Sequence, residues 1–298
     1  MTPRRQAFLE FVDEKTREAE RASIPPLRTL CDSSAGRSLR GIGTAWSRQR
    51  YDGDFYLFDP PVDLPALSLV FVQSFDGNTV IGNPEQLGGG PADTHLIYEG
   101  LSRVAADGVL AGAASAAGAH AFFSVWHPEM VALRRDLGLP RHPVQMVMTN
   151  SGRVNLDALL FNVPEVPVFL IAGAACRSRV EKATANRPWI TIVPIDEHST
   201  CDTFARLRRD HALSRISVIG GRTTASALVD AGLVQDLHLT TSPRTGGTPH
   251  TPWYAGQRPP MLDVVVRKEE PGPKPVIFEH LAIGASRTSR QGGSYQAT

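Results

Sequence analysis

The chain has 298 residues, 42% of them hydrophobic, which is enough for one large domain with a sizeable core. Its 31 lysines and arginines balance 30 aspartates and glutamates, so no charge excess indicates a nucleic-acid or membrane partner. The three cysteines form neither a CxxC motif nor an even set, which favours a reducing cytoplasm. No stretch is hydrophobic enough for a membrane span, and acidic residues near the start argue against a signal peptide.

The N-terminal part is predicted to be an arm outside the main domain. Thr2 and Pro3 are typical of a helix start, and apolar residues at helical spacing follow them. Residues 23–65 carry five prolines among several glycines, which predicts an extended connector with little regular structure. The predicted organisation is a helix and connector over residues 1–64, a main domain over 65–286 and a flexible tail over 287–298.

Predicted strands alternate with predicted helices in the main domain. A continuous apolar run over residues 67–72 is typical of a strand that is buried on both faces. The alternation predicts an α/β fold with three αβα layers around a mixed sheet of about nine strands, mostly parallel with an antiparallel C-terminal edge. Further strands are predicted at residues 109–111, 144–149, 166–172, 189–193, 262–267 and 276–283, and helices at 91–106, 113–121, 127–138, 176–185 and 201–212.

The segment from residue 215 to residue 247 is the most informative. A β-branched run ends in Gly220-Gly221, a helix-compatible stretch follows, and a second strand then carries Asp236 and His238. Paired glycines let the backbone approach a ligand, and the free amides at the start of the next helix favour an anion. The pattern predicts a phosphate-binding turn, with a tight turn that binds nothing as an equal alternative.

Three other predicted strands end in small or polar residues. Asp76 follows the first strand, at the sheet edge where α/β folds bind ligands, although Asp-Gly is also a common turn pair. The turn after the second strand (residues 112–115) suits a phosphate, with tight helix–sheet packing as the alternative. The turn after the third strand (residues 149–153) also suits a phosphate, with an ordinary polar turn as the alternative. Together they suggest an extended, phosphate-bearing ligand along one sheet edge. The residues are Gly112, Ala113 and Ser115 in one turn and Thr149, Asn150, Ser151 and Arg153 in the other.

Outside these turns, the sequence offers one candidate substrate-binding residue and no known catalytic or metal-binding motif. Arg103 lies on a predicted helix and could pair with Asp107 or face the cleft and hold a substrate anion. The sequence has no HExxH, no zinc spacing of cysteine and histidine, and no GxSxG or GxxxxGK[ST] motif, so no metal site is predicted.

The ordered set of motifs resembles the reductase domain of riboflavin biosynthesis proteins, the C-terminal half of RibD, which shares the dihydrofolate reductase fold. Ser74-Phe-Asp76-Gly77 resembles the family's S-x-D-G, and residues 89–93 resemble its G-G-P-A-D. Residues 220–237 resemble its E-G-G…L-L-x-A-G-L-V-D-E-L. The resemblance covers about residues 67–283.

This resemblance implies a homodimeric, NADPH-dependent reductase that transfers hydride to the ribosyl C1′ of a 5-amino-6-ribosylaminouracil phosphate. It places Arg103 on the substrate phosphate, with Asp76 and Asn78 at the substrate end of the cleft. Asp76 and His120 are the candidates for proton donor. The implied cofactor residues are Gly112, Ala113 and Ser115 along the dinucleotide, Thr149, Asn150, Ser151 and Arg153 at the 2′-phosphate, and Gly220, Gly221, Arg222, Thr223 and Thr224 at the pyrophosphate.

The chain departs from the family pattern in the substrate-binding half. Residues 116–121 contain His120 but no acid, residues 122–126 contain no arginine, and Asn78 stands where many members have lysine. The deaminase signature H-x-E with P-C-x-x-C is also missing. Two alternatives therefore stay open: an NADPH-dependent reductase of another substrate, such as dihydrofolate, and a non-catalytic nucleotide-binding homologue.

Overall fold

The structure is a computed structural model that describes residues 3–80, 87–195 and 200–284. The predicted N-terminal helix is confirmed as α1 (Pro3–Glu20), and its Phe8 is buried against the main domain. Thr2, the predicted cap, lies outside the described residues.

The prediction of an extended connector with little regular structure is wrong. This region forms β1 (Arg28–Asp32), β2 (Leu39–Ile42), α2 (Ala45–Tyr51) and β3 (Phe55–Phe58). The prolines that suggested a connector lie between these elements and not inside them, so they interrupt no ladder. β2 and β3 form an antiparallel pair, and β1 joins the main sheet.

The main domain follows the predicted alternation of strands and helices. Its first helix begins as one α-helical turn and continues as a π-helix that ends at Arg103. The elements are β4 (Ala66–Gln73), α3 (Gly90–Ala92) with the π-helix (Asp93–Arg103), β5 (Gly108–Gly112), α4 (Pro128–Asp136), β6 (Val144–Thr149), β7 (Val168–Gly173), α5 (Arg177–Thr184), β8 (Ile190–Ile195), α6 (Thr200–His211), β9 (Arg215–Ile219), α7 (Arg222–Asp230), β10 (Val234–Thr241), β11 (Met261–Glu270) and β12 (Val276–Gly284).

Among the described residues, ten strands form one sheet in the order β1-β11-β12-β10-β4-β9-β5-β6-β7-β8. The strands from β10 to β8 are all parallel, while β1, β11 and β12 make an antiparallel edge. The predicted mixed sheet with an antiparallel C-terminal edge is confirmed, and β1 extends that edge by a strand. Within the described part of the chain, no helix is long and apolar enough to cross a membrane.

Helices cover both faces of the sheet and complete the three layers. One apolar cluster joins the sheet to α1, the π-helix, α4 and α5, through residues such as Phe8, Leu96 and Met130. The other joins the opposite face to α6 and α7, through residues such as Phe204 and Leu228. Burial of apolar side chains on both faces fixes the sheet between the two layers.

The predicted helix over residues 113–121 is wrong. The segment forms a series of turns, in which Ala116 N–H donates to the Gly112 carbonyl at 3.0 Å and Ala121 N–H donates to the Gly118 carbonyl at 3.0 Å. Alanine favours a helix locally, but most of this segment is exposed and offers no large apolar face. A short helix without such a face gains little from tertiary packing.

Candidate functional site at the carboxyl edge of the sheet

The turns predicted to bind a ligand lie together along one edge of the sheet. The strands β4, β5, β6, β9 and β10 are parallel, so their carboxyl ends meet there. Ala111 of β5 is paired with Ile219 of β9, which makes Gly112 and Gly220 neighbours on adjacent strands. Gly112 is in turn paired with Met148, directly before Thr149. The topology therefore brings three of the predicted turns side by side.

Gly112, Ser115, Gly220, Gly221 and Thr224 form one cluster, named the glycine corner. A Cβ atom added to Gly220 would lie 3.0 Å from the Ser115 hydroxyl oxygen, and one added to Gly112 would lie 3.1 Å from that of Thr224. Gly220 and Gly221 have φ angles of +61° and +80°, in the left-handed region that favours glycine. The corner thus combines bare backbone with two hydroxyl groups.

The glycine corner leads directly into the N-terminus of α7. The first helical hydrogen bond runs from Ala225 N–H to the Gly221 carbonyl at 2.9 Å, and Gly221 supplies no capping side chain. The amides of residues 222–224 therefore have no partner within the helix. Together with the helix dipole, they make this a site suited to an anion.

Arg222 contributes its amide to this site and not a free guanidinium. Its Nε donates to the Pro252 carbonyl, which ties the side chain to the loop after β10. Ala113 follows Gly112 at the same edge, with its N–H donating to the Met148 carbonyl at 3.1 Å. Thr223 is exposed in the first turn of α7.

The turn after β6 has the internal hydrogen bonds of a polar turn. The buried Thr149 hydroxyl accepts from Gly152 N–H at 2.9 Å, and the Ser151 hydroxyl accepts from Arg153 N–H at 3.2 Å. Asn150, Ser151 and Arg153 are nevertheless exposed at the rim of the same sheet edge. Their side chains remain accessible to a ligand.

Arg179 of α5 also belongs to this turn, although it was not among the predicted residues. Its guanidinium donates to the Ser151 carbonyl, so two arginines, Arg153 and Arg179, lie at one turn. Nothing local in the sequence indicates this, because α5 reaches the turn only through the pairing of β6 with β7.

Asp76 and Asn78 form a hydrogen-bonded turn, which was the alternative considered for this motif. Asn78 donates to the Asp76 carboxylate at 3.0 Å and to the Gly246 carbonyl at 3.2 Å. Hydrogen bonds, first from the Ser74 hydroxyl and then from the Gly246 amide, hold the pKa of the Asp76 carboxyl below its ordinary value. Asp76 is exposed and suited to accept hydrogen bonds, and a catalytic role for it stays a prediction.

His120 lies at the surface beside α1. Its ring meets Phe11 edge-on at a centroid distance of 6.2 Å. It is not among the residues that line the cavity described next. Its role as a proton donor stays a prediction.

A cavity of about 540 Å³ opens between α1, the π-helix and β4, and is named the π-helix cavity. Arg103 lines it and donates to the Ser124 carbonyl at 3.3 Å, while its Nε has no partner among the described residues. Burial lowers the pKa of the Arg103 guanidinium from its ordinary value. The cavity is lined by Lys15, Glu18, Ala19, Val72, Gly88, Gly89, Gly90, Asp93, Thr94, His95, Tyr98, Glu99, Arg103 and Trp126.

Of the two expected positions of Arg103, the structure shows it lining the π-helix cavity and not paired with Asp107, while binding of a substrate anion stays a prediction. Asp107 has other partners, since its carboxylate accepts from Ser214 N–H at 2.6 Å and from Arg215 N–H at 2.9 Å. The buried Arg134 fixes the backbone below Arg103, donating to the carbonyls of Arg103 at 3.1 Å and Ala106 at 2.6 Å. These bonds satisfy carbonyls at the end of the π-helix and hold Arg103 at the cavity.

Asp93 is the most unusual group in the π-helix cavity. It is buried at the start of the π-helix, and its carboxyl accepts a hydrogen bond from the Thr240 hydroxyl at 2.5 Å. Burial raises its pKa to about 7, although the hydrogen bond from Thr240 acts in the opposite direction. Asp93 ends the G-G-P-A-D motif, but no role was predicted for it, because burial of an acid is not visible in a local pattern.

Glu99 organises the wall of the same cavity and was also missed. Its buried carboxylate accepts from the backbone N–H groups of Trp126 and His127, both at 2.8 Å. His95 Nδ1 lies 3.0 Å from its other oxygen. With these partners, Glu99 holds the segment after β5 against the π-helix.

Comparisons with known proteins agree with this architecture. A family model described as the RibD C-terminal domain matches residues 65–268, which is more than half of the chain. A pyrimidine reductase-like protein from Corynebacterium diphtheriae matches with a TM-score of 0.59 and 18% identity, over 74% of this chain and 93% of that one. RibD from Acinetobacter baumannii matches with a TM-score of 0.58 and 15% identity, over 75% of this chain and 59% of that one.

At these identities the structural matches establish the fold. Among curated proteins, none matches the chain in sequence.

Proposed function

Because the chain belongs to the RibD C-terminal domain family, we propose that it is an NADPH-dependent reductase of the riboflavin biosynthesis type. Its substrate would be a 5-amino-6-ribosylaminouracil phosphate, reduced at the ribosyl C1′. The observation that carries the proposal is the glycine corner, a backbone anion site at the sheet edge where this fold class binds ligands.

The residues at this edge fit a dinucleotide phosphate. Gly220, Gly221 and the first amides of α7 would hold the pyrophosphate, because a side chain there would fill the space beside Ser115. Arg153 and Arg179 would hold the 2′-phosphate through charge-assisted hydrogen bonds. When bound, the coenzyme supplies a hydride, and the protein orients it.

The π-helix cavity supplies the groups that the substrate needs. The Arg103 guanidinium would bind a phosphate group, which would recover part of the cost of its burial. Asp93 retains a proton in a substantial fraction of molecules at neutral pH, because burial raises its pKa to about 7. A carboxyl group with such a pKa is suited to deliver the proton that accompanies reduction of an imine or carbonyl.

One observation favours a different substrate for the same chemistry. Lys15, Glu18 and Ala19 of α1 line the π-helix cavity, and α1 lies outside the segment that matches the family model. A cavity wall from outside that segment would change the shape that the substrate meets. A reductase of another imine or carbonyl substrate, such as dihydrofolate, is therefore the second candidate.

Assays of NADPH oxidation distinguish these candidates. The pyrimidine substrate and dihydrofolate are each added to purified protein with NADPH, and the loss of NADPH absorbance is followed. Faster turnover of the pyrimidine supports the first proposal, and faster turnover of dihydrofolate supports the second. Tight NADPH binding without turnover of either would favour a nucleotide-binding homologue, and absence of NADPH binding by calorimetry would refute the cofactor proposal.

A homodimer in the cytoplasm completes the proposal, and it rests on the family resemblance and the cysteine content. Light scattering is expected to give twice the mass of the 32.3 kDa chain. A monomer mass would contradict this part alone.

A further inference from the structure

A buried cluster of metal-ligand side chains lies away from the glycine corner. Asp236 and His238 are two residues apart on β10 and so point to the same face of the sheet. His280 of β12 is directly opposite His238 in the antiparallel register. Each of the three side chains belongs to a residue that is at most 2% exposed. Strand geometry alone therefore brings two imidazoles and one carboxylate together, named here the His–Asp cluster.

The spacing of the His–Asp cluster is close to that of a metal site. His280 Nε2 lies 2.7 Å from the Asp236 carboxylate oxygen, and His238 Nε2 lies 3.6 Å from the same oxygen. One ligand atom from each residue lies within 4.8 Å of the others. Ligands about 2.0–2.2 Å from a tetrahedral zinc ion are separated by roughly 3.3 Å, so small side-chain movements would suffice.

Three buried polar atoms of the His–Asp cluster lack a hydrogen-bond partner in the described part of the protein. Among the described residues, Asp236 Oδ1, His238 Nδ1 and His280 Nδ1 are buried without a partner. Buried polar atoms normally have partners, and each that has none costs stability. A divalent cation on the carboxylate would offset the cost of its burial.

We propose that the His–Asp cluster binds a zinc ion. Imidazole nitrogen and carboxylate oxygen are ordinary zinc ligands, and the absence of cysteine at the cluster argues against a thiolate site. The burial of all three residues would shield the ion from bulk solvent, and a water molecule would take the fourth tetrahedral position beside the three protein ligands. The ion would join β10 to β12 on the face that also carries Thr240, the hydrogen-bond donor to Asp93.

Elemental analysis of the full chain tests the site. Protein is expressed with added zinc, dialysed and compared with Asp236→Asn, His280→Gln and the control His211→Gln, whose histidine is exposed on α6. We expect about one zinc ion per chain in the wild type and in His211→Gln. The two cluster variants should contain at least about tenfold less. Circular dichroism verifies that each variant is folded.

A refolding experiment keeps the test decisive if the cluster variants do not fold. Wild-type protein is unfolded in denaturant with a chelator, freed of both, and refolded with excess zinc or cobalt. Metal retained after dialysis is then measured together with Tm. Retained metal with a raised Tm, and cobalt absorption bands typical of tetrahedral coordination, are expected. The proposal is overturned if the refolded wild type retains no metal, or if folded Asp236→Asn and His280→Gln retain as much as the wild type. The hydrogen bond between His280 and Asp236 at 2.7 Å would then be what holds the cluster.

Discussion

The glycine corner and the π-helix cavity lie in the same domain, but they are encoded differently. Every residue of the glycine corner was selected from the sequence, because each follows the end of a predicted strand, and parallel strands end at one edge. Of the residues that line the cavity, only Arg103 was selected. The cavity depends on contacts between distant segments, including α1, that leave no local pattern. A set of glycine-rich turns at one sheet edge can therefore be predicted from a single sequence, whereas a cavity formed by distant segments cannot.

The largest expected effect concerns Asp93 and tests the cavity. Replacing Asp93 by Asn removes the proton that we place there, and kcat should fall by about 10²–10⁴-fold. NADPH affinity should change far less than kcat, because Asp93 lies outside the glycine corner that would hold the pyrophosphate. Steady-state assays and NADPH calorimetry measure the two quantities. Asp76→Asn, at the exposed turn, should have the smaller effect on kcat, and the reverse order would move the chemistry from the cavity to that turn.

The next effect concerns Gly220 and tests the glycine corner. In Gly220→Ala the new Cβ would lie 3.0 Å from the Ser115 hydroxyl oxygen, where the pyrophosphate is expected to bind. NADPH affinity should fall by at least about tenfold, which corresponds to about 1.4 kcal/mol. Gly232→Ala is the matched control, since Gly232 has a similar φ of +68° and no atom within 4 Å of the added Cβ. Equal losses in both variants would show that backbone strain and not the ligand site is responsible.

A third prediction separates NADPH from NADH. Arg179→Ala removes a cation at the turn after β6, so the NADPH dissociation constant should rise by roughly tenfold. NADH binding should change little, since NADH carries no 2′-phosphate. The control is Arg177→Ala on the same helix, where Arg177 pairs with Glu181 at 2.8 Å. Parallel losses for both coenzymes would place the 2′-phosphate elsewhere.

The smallest effect is a shift in pH dependence. The protonated form of Asp93 is the active form in this account, so kcat should fall as pH rises through about 7. The Thr240 hydroxyl lowers the Asp93 pKa, so Thr240→Val should raise it and move the alkaline limb to higher pH. Rate profiles of the two proteins measure the shift. A limb that stays in place or moves to lower pH would show that another group controls the rate.

The sequence predicted the central strands well, because each combines an apolar run with a turn. The strand before Gly220 is an example, but its position between β4 and β5 does not follow from chain order. The closing strands at the antiparallel edge were predicted too, and they pair with each other as neighbours in the chain. The prediction failed for residues 23–65, where β1 gains its stability by pairing with β11, more than two hundred residues later. Partners at such separation are invisible to local patterns. The helix predicted over residues 113–121 was wrong for a related reason: alanine favours a helix locally, but no tertiary packing supports one there.

Prediction of the candidate site from the sequence was limited in the same way, by contacts between residues that are distant in the chain. Gly220 and Ser115 were both expected at one sheet edge, because strand ends and small residues indicate where backbone is bare, and the structure brings them into contact; their role in binding a ligand stays a prediction. Asp93 was overlooked, since its chemistry depends on burial and on a hydroxyl from β10. Arg179 was overlooked because it reaches the β6 turn from α5.

A crystal structure of the protein soaked in NADPH tests the central claim most directly. The account predicts that the pyrophosphate lies against Gly220 and Gly221, within hydrogen-bond distance of the first amides of α7, with the nicotinamide directed to the π-helix cavity. A dinucleotide bound elsewhere, or a glycine corner that remains empty at saturating NADPH, would contradict it.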